Sequence, residues 1–228
     1  MNSLVSVENV YKTYHQGHVE VPALRGVSMD VAKGEFMALA GPSGSGKSTL
    51  LNLIGGLDSI DKGSIHIDGV EMTQLNETQK TKIRLNKVGF VFQAYNLIPV
   101  LSALENVEYV MLLQGVSAQE RKARATEMLN QVGLEGLYHR RPSELSGGQQ
   151  QRVAVARAIA TQSEIILADE PTANLDSETA SMLLDNMKQL NESLGLTFIF
   201  STHDFHVMEY AHRIVYLHDG QIEKDEEK

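Results

Sequence analysis

Short apolar runs recur along the chain, separated by longer segments in which apolar residues repeat at helical spacing. The runs are rich in β-branched and aromatic residues and have the length of strands. Apolar strands that alternate with helices are typical of a parallel sheet covered on both faces, so the pattern predicts an α/β fold. The predicted core strands are residues 36–40, 88–92, 165–168, 196–201 and 213–217.

The pattern changes near the N-terminus, where apolar and polar residues alternate over residues 4–10, 27–36 and 63–72. The turn dipeptides Lys33-Gly34 and Asp68-Gly69 interrupt these segments. Alternation of this kind is typical of antiparallel strands with one face on a core and one in solvent. We therefore predict an antiparallel β layer beside the main sheet.

The middle of the chain has helical periodicity and few strand signals. Residues 117–134 predict an amphipathic helix that Gly133 ends. Its predicted buried face consists of Ala123, Met128, Leu129 and Val132.

These patterns together predict one domain over residues 1–228. Its core, residues 1–93 and 161–228, carries the antiparallel layer, and residues 94–160 form an inserted helical sub-domain. The charged tail, residues 223–228, is expected to fray.

Composition narrows the classes of function. The 228 residues carry a net charge of −9, whereas a general nucleic-acid binder is more often basic. Cys is absent, which excludes disulfides and thiol catalysis. No apolar run approaches the roughly 18 residues that a spanning helix needs, and the N-terminal pattern is unlike a signal peptide. Any role at a membrane is therefore expected to require partners.

The segment GPSGSGKS, residues 41–48, matches G-x-x-x-x-G-K-[ST] and lies between a predicted strand and a helical pattern. That context indicates a P-loop NTPase core rather than a glycine-rich turn with an exposed lysine. Backbone N–H groups of such a loop hold phosphates, Lys47 reaches the β- and γ-phosphates, and Ser48 supplies a Mg²⁺ ligand. The predicted nucleotide contacts are Gly41, Ser43, Gly44, Ser45, Gly46, Lys47, Ser48 and Thr49.

Two carboxylates, Asp169 and Glu170, follow the apolar run 165–168. In open α/β sheets, ligands bind at the carboxyl ends of the strands. Asp169 is predicted to hold Mg²⁺, and Glu170 to polarise the water that attacks the γ-phosphate. The alternative is an ordinary helix N-cap pair before Pro171.

Gln93 and His203 follow two other predicted strands, and both are expected at the same sheet edge. Gln93 is predicted to contact Mg²⁺ and the attacking water, and His203 to donate to the γ-phosphate. Each signal is weak alone, because a single histidine after a strand is more often structural. The shared edge is what favours a catalytic role for both.

A second helix start, Ser146, Gly147 and Gly148, offers backbone N–H groups to an anion. It has no lysine and no preceding strand, and the first loop already accounts for one nucleotide. We therefore predict that it acts on the nucleotide of a second copy, in a two-fold dimer with two composite sites. The alternative is a serine N-cap followed by flexible glycines.

The ordered motifs resemble those of the ATP-binding subunits of ABC transporters, over about residues 4–222. The loop at 41–49 resembles the Walker A motif, IILADE (165–170) Walker B, and LSGGQ (145–149) the family signature. Gln93 then corresponds to the Q-loop and His203 to the switch histidine. The resemblance implies an active ATPase that uses ATP and Mg²⁺ and forms a homodimer on binding ATP.

Three further site residues come from this resemblance alone. Gln149 belongs to the signature, and Asp176, in NLD (174–176), falls at the D-loop near the dimer interface. Tyr14 falls where the family stacks an aromatic ring on adenine, with Tyr11 as the alternative.

Three segments, residues 41–58, 88–107 and 145–158, together resemble the LolD/MacB/FtsE group. Members of that group pair with membrane proteins for export, lipoprotein release or transmission of force. The apolar residues Tyr95–Leu101 are expected to dock that membrane permease, although burial inside the sub-domain is the alternative. The resemblance implies a protein on the cytoplasmic face of the inner membrane.

Other ATPases with this head are less compatible with the sequence. A solute-import subunit often carries a long regulatory extension after the last strand. DNA-repair heads are split by a coiled coil, and translation factors carry tandem phosphate loops. None of these features is present, and no nucleic acid partner is expected.

Overall fold

The computed structural model describes residues 3–17 and 19–228, with the side chain of Gln16 left out. The chain divides into two compact units, Met1–Lys82 with Thr197–Lys228, and Ile83–Leu196. The predicted helical sub-domain, residues 94–160, lies within the second unit. No helix of the described residues is both long enough and apolar enough to cross a membrane.

The described strands and helices follow the predicted alternation. The strands are β1 (Val5–Gln16), β2 (Val19–Val31), β3 (Phe36–Ala40), β4 (Lys62–Ile67), β5 (Val70–Glu71), β6 (Val88–Val91), β7 (Ile165–Ala168), β8 (Thr197–Thr202), β9 (Arg213–His218) and β10 (Gln221–Glu227). The helices are α1 (Lys47–Ile54), α2 (Glu77–Lys87), α3 (Ala103–Leu113), α4 (Ala118–Gln131), α5 (Gly147–Ala160), α6 (Ser177–Leu194) and α7 (Phe205–Tyr210). Short 3₁₀ turns lie at Met72–Gln74 and Pro142–Glu144.

The first unit contains the predicted antiparallel layer, a four-stranded sheet in the order β2-β1-β4-β5. Strand β1 pairs antiparallel with both β2 and β4, and residues such as Val5, Val7 and Ile65 are buried. The alternating sequence therefore buries one face of the strands, as predicted.

The first unit also holds a parallel arrangement around β3, which pairs parallel with β8 on one side and β9 on the other. All five residues of β3 are buried, which explains its continuous apolar sequence. The Phe36 ring packs against the rings of Phe198 and Phe200, with centroids 5.4 and 5.0 Å apart. The α/β fold predicted from the sequence is confirmed.

The second unit contains the parallel pair β6 and β7, with Val91 opposite Ala168. Helix α5 lies close to this pair. A Cβ atom at Gly89 would come within 2.6 Å of Ile166 Cδ1 and 2.7 Å of the Ala158 carbonyl oxygen. Glycine at this position therefore allows the helix to approach the strands.

Helix α4 begins and ends close to the predicted positions. The Ser117 side chain caps it by accepting from the Glu120 N–H, and Gly133 follows its end with φ +69°. The predicted buried face was wrong at one residue. Ala123 is exposed and Ala125 is buried, because the stripe through Met128 and Leu129 continues one turn back at 125.

The expectation of a frayed tail was also wrong. Residues 221–227 form β10, which pairs antiparallel with β9. Arg213 of β9 donates to Asp225 at 2.7 Å and to Glu35 at 2.9 Å. The guanidinium and the ladder hydrogen bonds together order a strand whose sequence is otherwise typical of a solvated tail.

Candidate functional site

The loop after β3 is held against its own unit. A Cβ atom at Gly41 would lie 2.1 Å from the Leu217 carbonyl oxygen, so only glycine fits there. A Cβ atom at Gly44 would meet open space, but φ is +81°. Glycine is thus required for two different reasons, close packing at Gly41 and backbone conformation at Gly44.

Lys47 lies beneath this loop and is 4% exposed. Its Nζ donates to the carbonyl oxygens of Gly41 at 2.7 Å and Pro42 at 2.9 Å. The alternative of an exposed lysine is therefore wrong. The ammonium instead places a positive charge against the inside of the loop, where a phosphate chain would lie.

Two further features of the loop fit an anion. Helix α1 has Gly46 as its N-cap, and no side chain of residues 3–17 or 19–228, as far as they are described, caps its first turn. Ser45 Oγ is buried and has no hydrogen-bond partner among the residues that the structure describes. A buried hydroxyl without a partner is costly, so it fits a site that a ligand oxygen completes.

The side chain of Tyr14, on β1, is hydrogen-bonded to Thr49 in the first turn of α1. Its hydroxyl also donates to Asp58 Oδ2 at 2.9 Å. Burial is the main cause that raises the pKa of the Tyr14 phenol. The Thr49 hydrogen bond opposes this rise and the Asp58 carboxylate adds to it. The side chain is still 36% exposed, so ring surface is available.

His203 leaves the sheet beside the loop. Ala40 of β3 pairs with Thr202 of β8, so Gly41 and His203 follow neighbouring strand ends. His203 is exposed, and Asp204 then caps α7 by accepting from the His206 N–H at 2.9 Å. In the first unit the structure therefore brings Tyr14, the loop and His203 to one region.

The second unit groups Gln93 with the two carboxylates. The Asp169 N–H donates to the Val91 carbonyl at 2.9 Å, and Asn174 Nδ2 donates to the Gln93 carbonyl at 2.9 Å. Gln151 of α5 donates to the Pro171 carbonyl at 2.8 Å. The segment that contains Asp169 and Glu170 is thus tied to both neighbouring elements.

Glu170 adopts a left-handed backbone conformation with φ +42°. Its carbonyl accepts from the Ala173 N–H at 3.2 Å, which closes a tight turn. This conformation is energetically unfavourable for residues other than glycine, and such strain is concentrated at functional sites. The alternative of an N-cap pair fails because α6 begins at Ser177, six residues after Pro171.

The second helix start is capped by its own residues. Ser146 Oγ accepts from the Gln149 N–H at 3.3 Å, and Gln149 Oε1 accepts from the Ser146 N–H at 2.9 Å. A Cβ atom at Gly148 would lie 2.2 Å from Thr179 Cγ2. The N-cap geometry of the alternative is therefore present, and Gly148 is needed for packing against α6 rather than for flexibility.

Asp176 caps α6. Its Oδ1 accepts from the Thr179 N–H at 3.0 Å and its Oδ2 from the Thr179 hydroxyl at 2.8 Å. The backbone hydrogen bond from Thr179 is the main cause that lowers the pKa of this exposed carboxyl. Asp176 therefore orders the residue that packs against Gly148.

The segment Tyr95–Leu101 lies at the surface. Pro99 and Val100 are exposed, Val100 by 71%, and no residue of the segment is fully buried. Tyr95 and Asn96 both have positive φ, and Arg157 of α5 donates to their carbonyl oxygens at 3.0 and 2.6 Å. The sequence motifs gave no role to Arg157, Lys12 or Asp58, because each contacts residues that are distant in sequence. Asn174 lies in the NLD segment, but its contact with Gln93 was not predicted.

Comparison with known proteins identifies the family. A family model described as ABC transporter matches residues 24–173. The chain belongs to the ABC transporter family. It is an ATP-binding subunit that hydrolyses ATP.

Relatives of this ABC subunit cover nearly its whole length. An uncharacterized ABC transporter ATP-binding protein of Methanocaldococcus jannaschii, MJ0796, is 47% identical over 98% of this chain and 97% of its own. The lipoprotein-releasing system protein LolD of Legionella pneumophila is 43% identical over 97% of this chain and 98% of its own. The macrolide export protein MacB of Mannheimia succiniciproducens is 45% identical over 99% of this chain but only 35% of its own.

Solved structures of MJ0796 are similar to this ABC subunit. One is a dimer in a post-hydrolysis state with ADP and Pi, with a TM-score of 0.91 and 98% of each chain covered. A second dimeric structure has a TM-score of 0.92 at 46% identity. The likeness to LolD and MacB agrees with the predicted subgroup.

Replacing Ser45 by Ala separates ligand binding from stability. Because Ser45 Oγ has no hydrogen-bond partner in the described part of the chain, Ser45→Ala should leave the free energy of unfolding unchanged or raise it. The same change should weaken ATP binding about tenfold through the lost hydrogen bond to phosphate. Urea unfolding without nucleotide and calorimetric titration with ATP measure the two effects.

The matched control is Ser163→Ala, which removes a buried hydroxyl that is paired with Thr161 at 2.6 Å. It should lower stability and leave ATP affinity unchanged. Loss of stability in Ser45→Ala without loss of ATP affinity would contradict the assignment.

Proposed function

We propose that this ABC subunit works as an ATP-dependent homodimer with two composite sites. Each nucleotide lies on the loop and Tyr14 of one copy and under Ser146–Gln149 and Asp176 of the other. The observation that carries the proposal is a second glycine-containing helix start without a lysine, at α5, in a chain that has a complete phosphate loop. The dimeric structures of a 47% identical relative support it.

The loop residues and Lys47 hold the phosphates in this proposal, and Thr49 contacts the α-phosphate. Mg²⁺ would be held by the Ser48 hydroxyl, the Gln93 side chain and the Asp169 carboxylate. These three supply oxygen donors, which is the donor set that Mg²⁺ prefers. The ion, when bound, neutralises charge on the β- and γ-phosphates.

Glu170 is the proposed general base. It accepts a proton from the attacking water, while His203 donates a hydrogen bond to the γ-phosphate and Gln93 positions the water. The strained turn at Glu170 supports this role, because it fixes the carboxylate at the end of β7 rather than inside a helix. Loss of phosphate then removes charge from the composite site, and the dimer opens.

The segment Tyr95–Leu101 is the proposed docking surface for a membrane permease. Its exposed Val100 and Pro99 offer an apolar contact. Arg157 joins this segment to α5, the helix that carries the signature, so closure of the composite site would move the segment. The dimer would therefore transmit nucleotide state to the permease from the cytoplasmic face of the inner membrane.

Export or lipoprotein release is the proposed task, with transmission of force as a related one. The likeness to LolD and MacB supports this choice over solute import. The cargo would be chosen by the permease, and no nucleic acid takes part.

Replacing Glu170 by Gln should stop the cycle after closure. The amide cannot accept the proton of water, so hydrolysis should fall by about 10²–10⁴-fold while ATP still binds. Glu170→Gln should then accumulate as a dimer with ATP and return to monomer with ADP, measured by size-exclusion chromatography with light scattering. Glu127→Gln, on the exposed side of α4, is the control and should behave like the parent protein. A monomeric Glu170→Gln at saturating ATP would contradict the proposal.

A charge at Val100 should abolish binding of the permease but leave the ATPase activity intact. Val100→Asp places a carboxylate in the proposed apolar contact, so the membrane protein that co-purifies with the parent should be lost. The ATPase rate of the isolated subunit should be unchanged. Val19→Asp is the matched control, because Val19 is 62% exposed on β2, far along the sequence from the segment. Equal recovery of the membrane protein with both variants would refute docking at this segment.

A further inference from the structure

The Tyr14 side chain is partly exposed, but its hydroxyl and one face of its ring both contact other residues. Its hydroxyl donates to Asp58 Oδ2 at 2.9 Å, and Lys12 Nζ lies 5.1 Å from the centroid of its ring. A cation at this distance over a ring is attracted by its π face. Both the end of the side chain and one face of the ring are therefore occupied by protein.

Lys12 and Asp58 also hold each other. Lys12 is 7% exposed, and its Nζ donates to Asp58 Oδ1 at 2.9 Å and to the Ser59 carbonyl at 2.6 Å. Asp58 Oδ1 accepts in addition from the Ser59 N–H at 2.7 Å. Each carboxylate oxygen thus has a partner, and the buried ammonium has a counter-ion.

Charge keeps this arrangement intact at neutral pH. Burial opposes ionisation of Asp58, but hydrogen bonds from Lys12, Ser59 and Tyr14 outweigh it and lower the pKa of the carboxyl. Burial, together with the Asp58 charge, raises the pKa of Tyr14. Asp58 therefore remains an acceptor and Tyr14 remains a donor.

We propose that Asp58 and Lys12 are positioning residues that hold the Tyr14 ring in place as a preformed stacking surface for the nucleotide base. This inference rests on the proposed role of Tyr14 at adenine. A tyrosine that is free to rotate loses that freedom when a base stacks on it, whereas a ring that is already fixed does not. With Lys12 over one face, the base uses the opposite face.

If the inference is correct, the variants lose only the part of the ATP affinity that comes from the base. Tyr14→Phe keeps the ring and removes the hydroxyl, and Asp58→Ala removes the acceptor. Each change should weaken ATP binding about three- to tenfold, the size expected for the ordering of one side chain. The losses should not add in the double variant, because both changes break the same hydrogen bond. Its affinity for ATP should equal that of the single variant with the larger loss.

The probes are ATP and tripolyphosphate, each titrated with Mg²⁺ by calorimetry into the whole chain. Tripolyphosphate has the phosphate chain without a base, so its affinity should be unchanged in all three variants. The matched control is Asp61→Ala. Asp61 is a neighbouring carboxylate that accepts from the Thr13 backbone N–H at 2.7 Å, whereas Asp58 accepts from the Tyr14 hydroxyl. It should leave the affinity for ATP unchanged.

Three outcomes overturn the inference. Additive losses in the double variant would show that the residues act separately. An equal loss of tripolyphosphate binding would show a general structural defect. Unchanged ATP affinity in Tyr14→Phe and Asp58→Ala, together with a loss in Tyr14→Ala, would show that the ring stacks without being anchored. If Tyr14→Ala also binds ATP normally, the proposed role of Tyr14 itself is wrong.

Discussion

Ala40 of β3 lies opposite Thr202 of β8, and Val91 of β6 lies opposite Ala168 of β7. Parallel strands in register end together, so each pair delivers its next residues to one edge. In the first unit these are the phosphate loop and His203, and in the second they are Gln93 with Asp169 and Glu170. The proposed chemistry of the subunit depends on this register, because a slip of one residue would turn the strand side chains to the opposite face and shift the residues that follow them.

Close packing also fixes the conformation of the phosphate loop and of the start of α5. Gly41 cannot carry a Cβ atom because of the Leu217 carbonyl, and Gly148 cannot because of Thr179. Lys47 binds the carbonyl oxygens of its own loop. The glycines of both motifs and the lysine of the phosphate loop thus stabilise the protein before any nucleotide is present, which is a form of preorganisation.

The core strands could be predicted from sequence because β3, β7 and β8 are buried along their whole length and read as continuous apolar runs. β10 could not, since its charged residues are ordered by Arg213 and by pairing with β9. The phosphate loop could be found because its residues are consecutive. Lys12 and Asp58 are 46 positions apart, and neither belongs to a recognisable motif, so only the folded chain shows their link to Tyr14.

The central claim is that each ATP is hydrolysed by residues from two copies, and a mixing experiment tests it most directly. Lys47→Ala inactivates the phosphate loop, and Ser146→Arg inactivates the start of α5. A homodimer of either variant has two defective composite sites, so each variant alone should be inactive. In an equimolar mixture, half of the dimers are heterodimers with one intact composite site, so about one quarter of the parent ATPase rate should return. A mixture that stays as inactive as its separate components would contradict sites shared between copies.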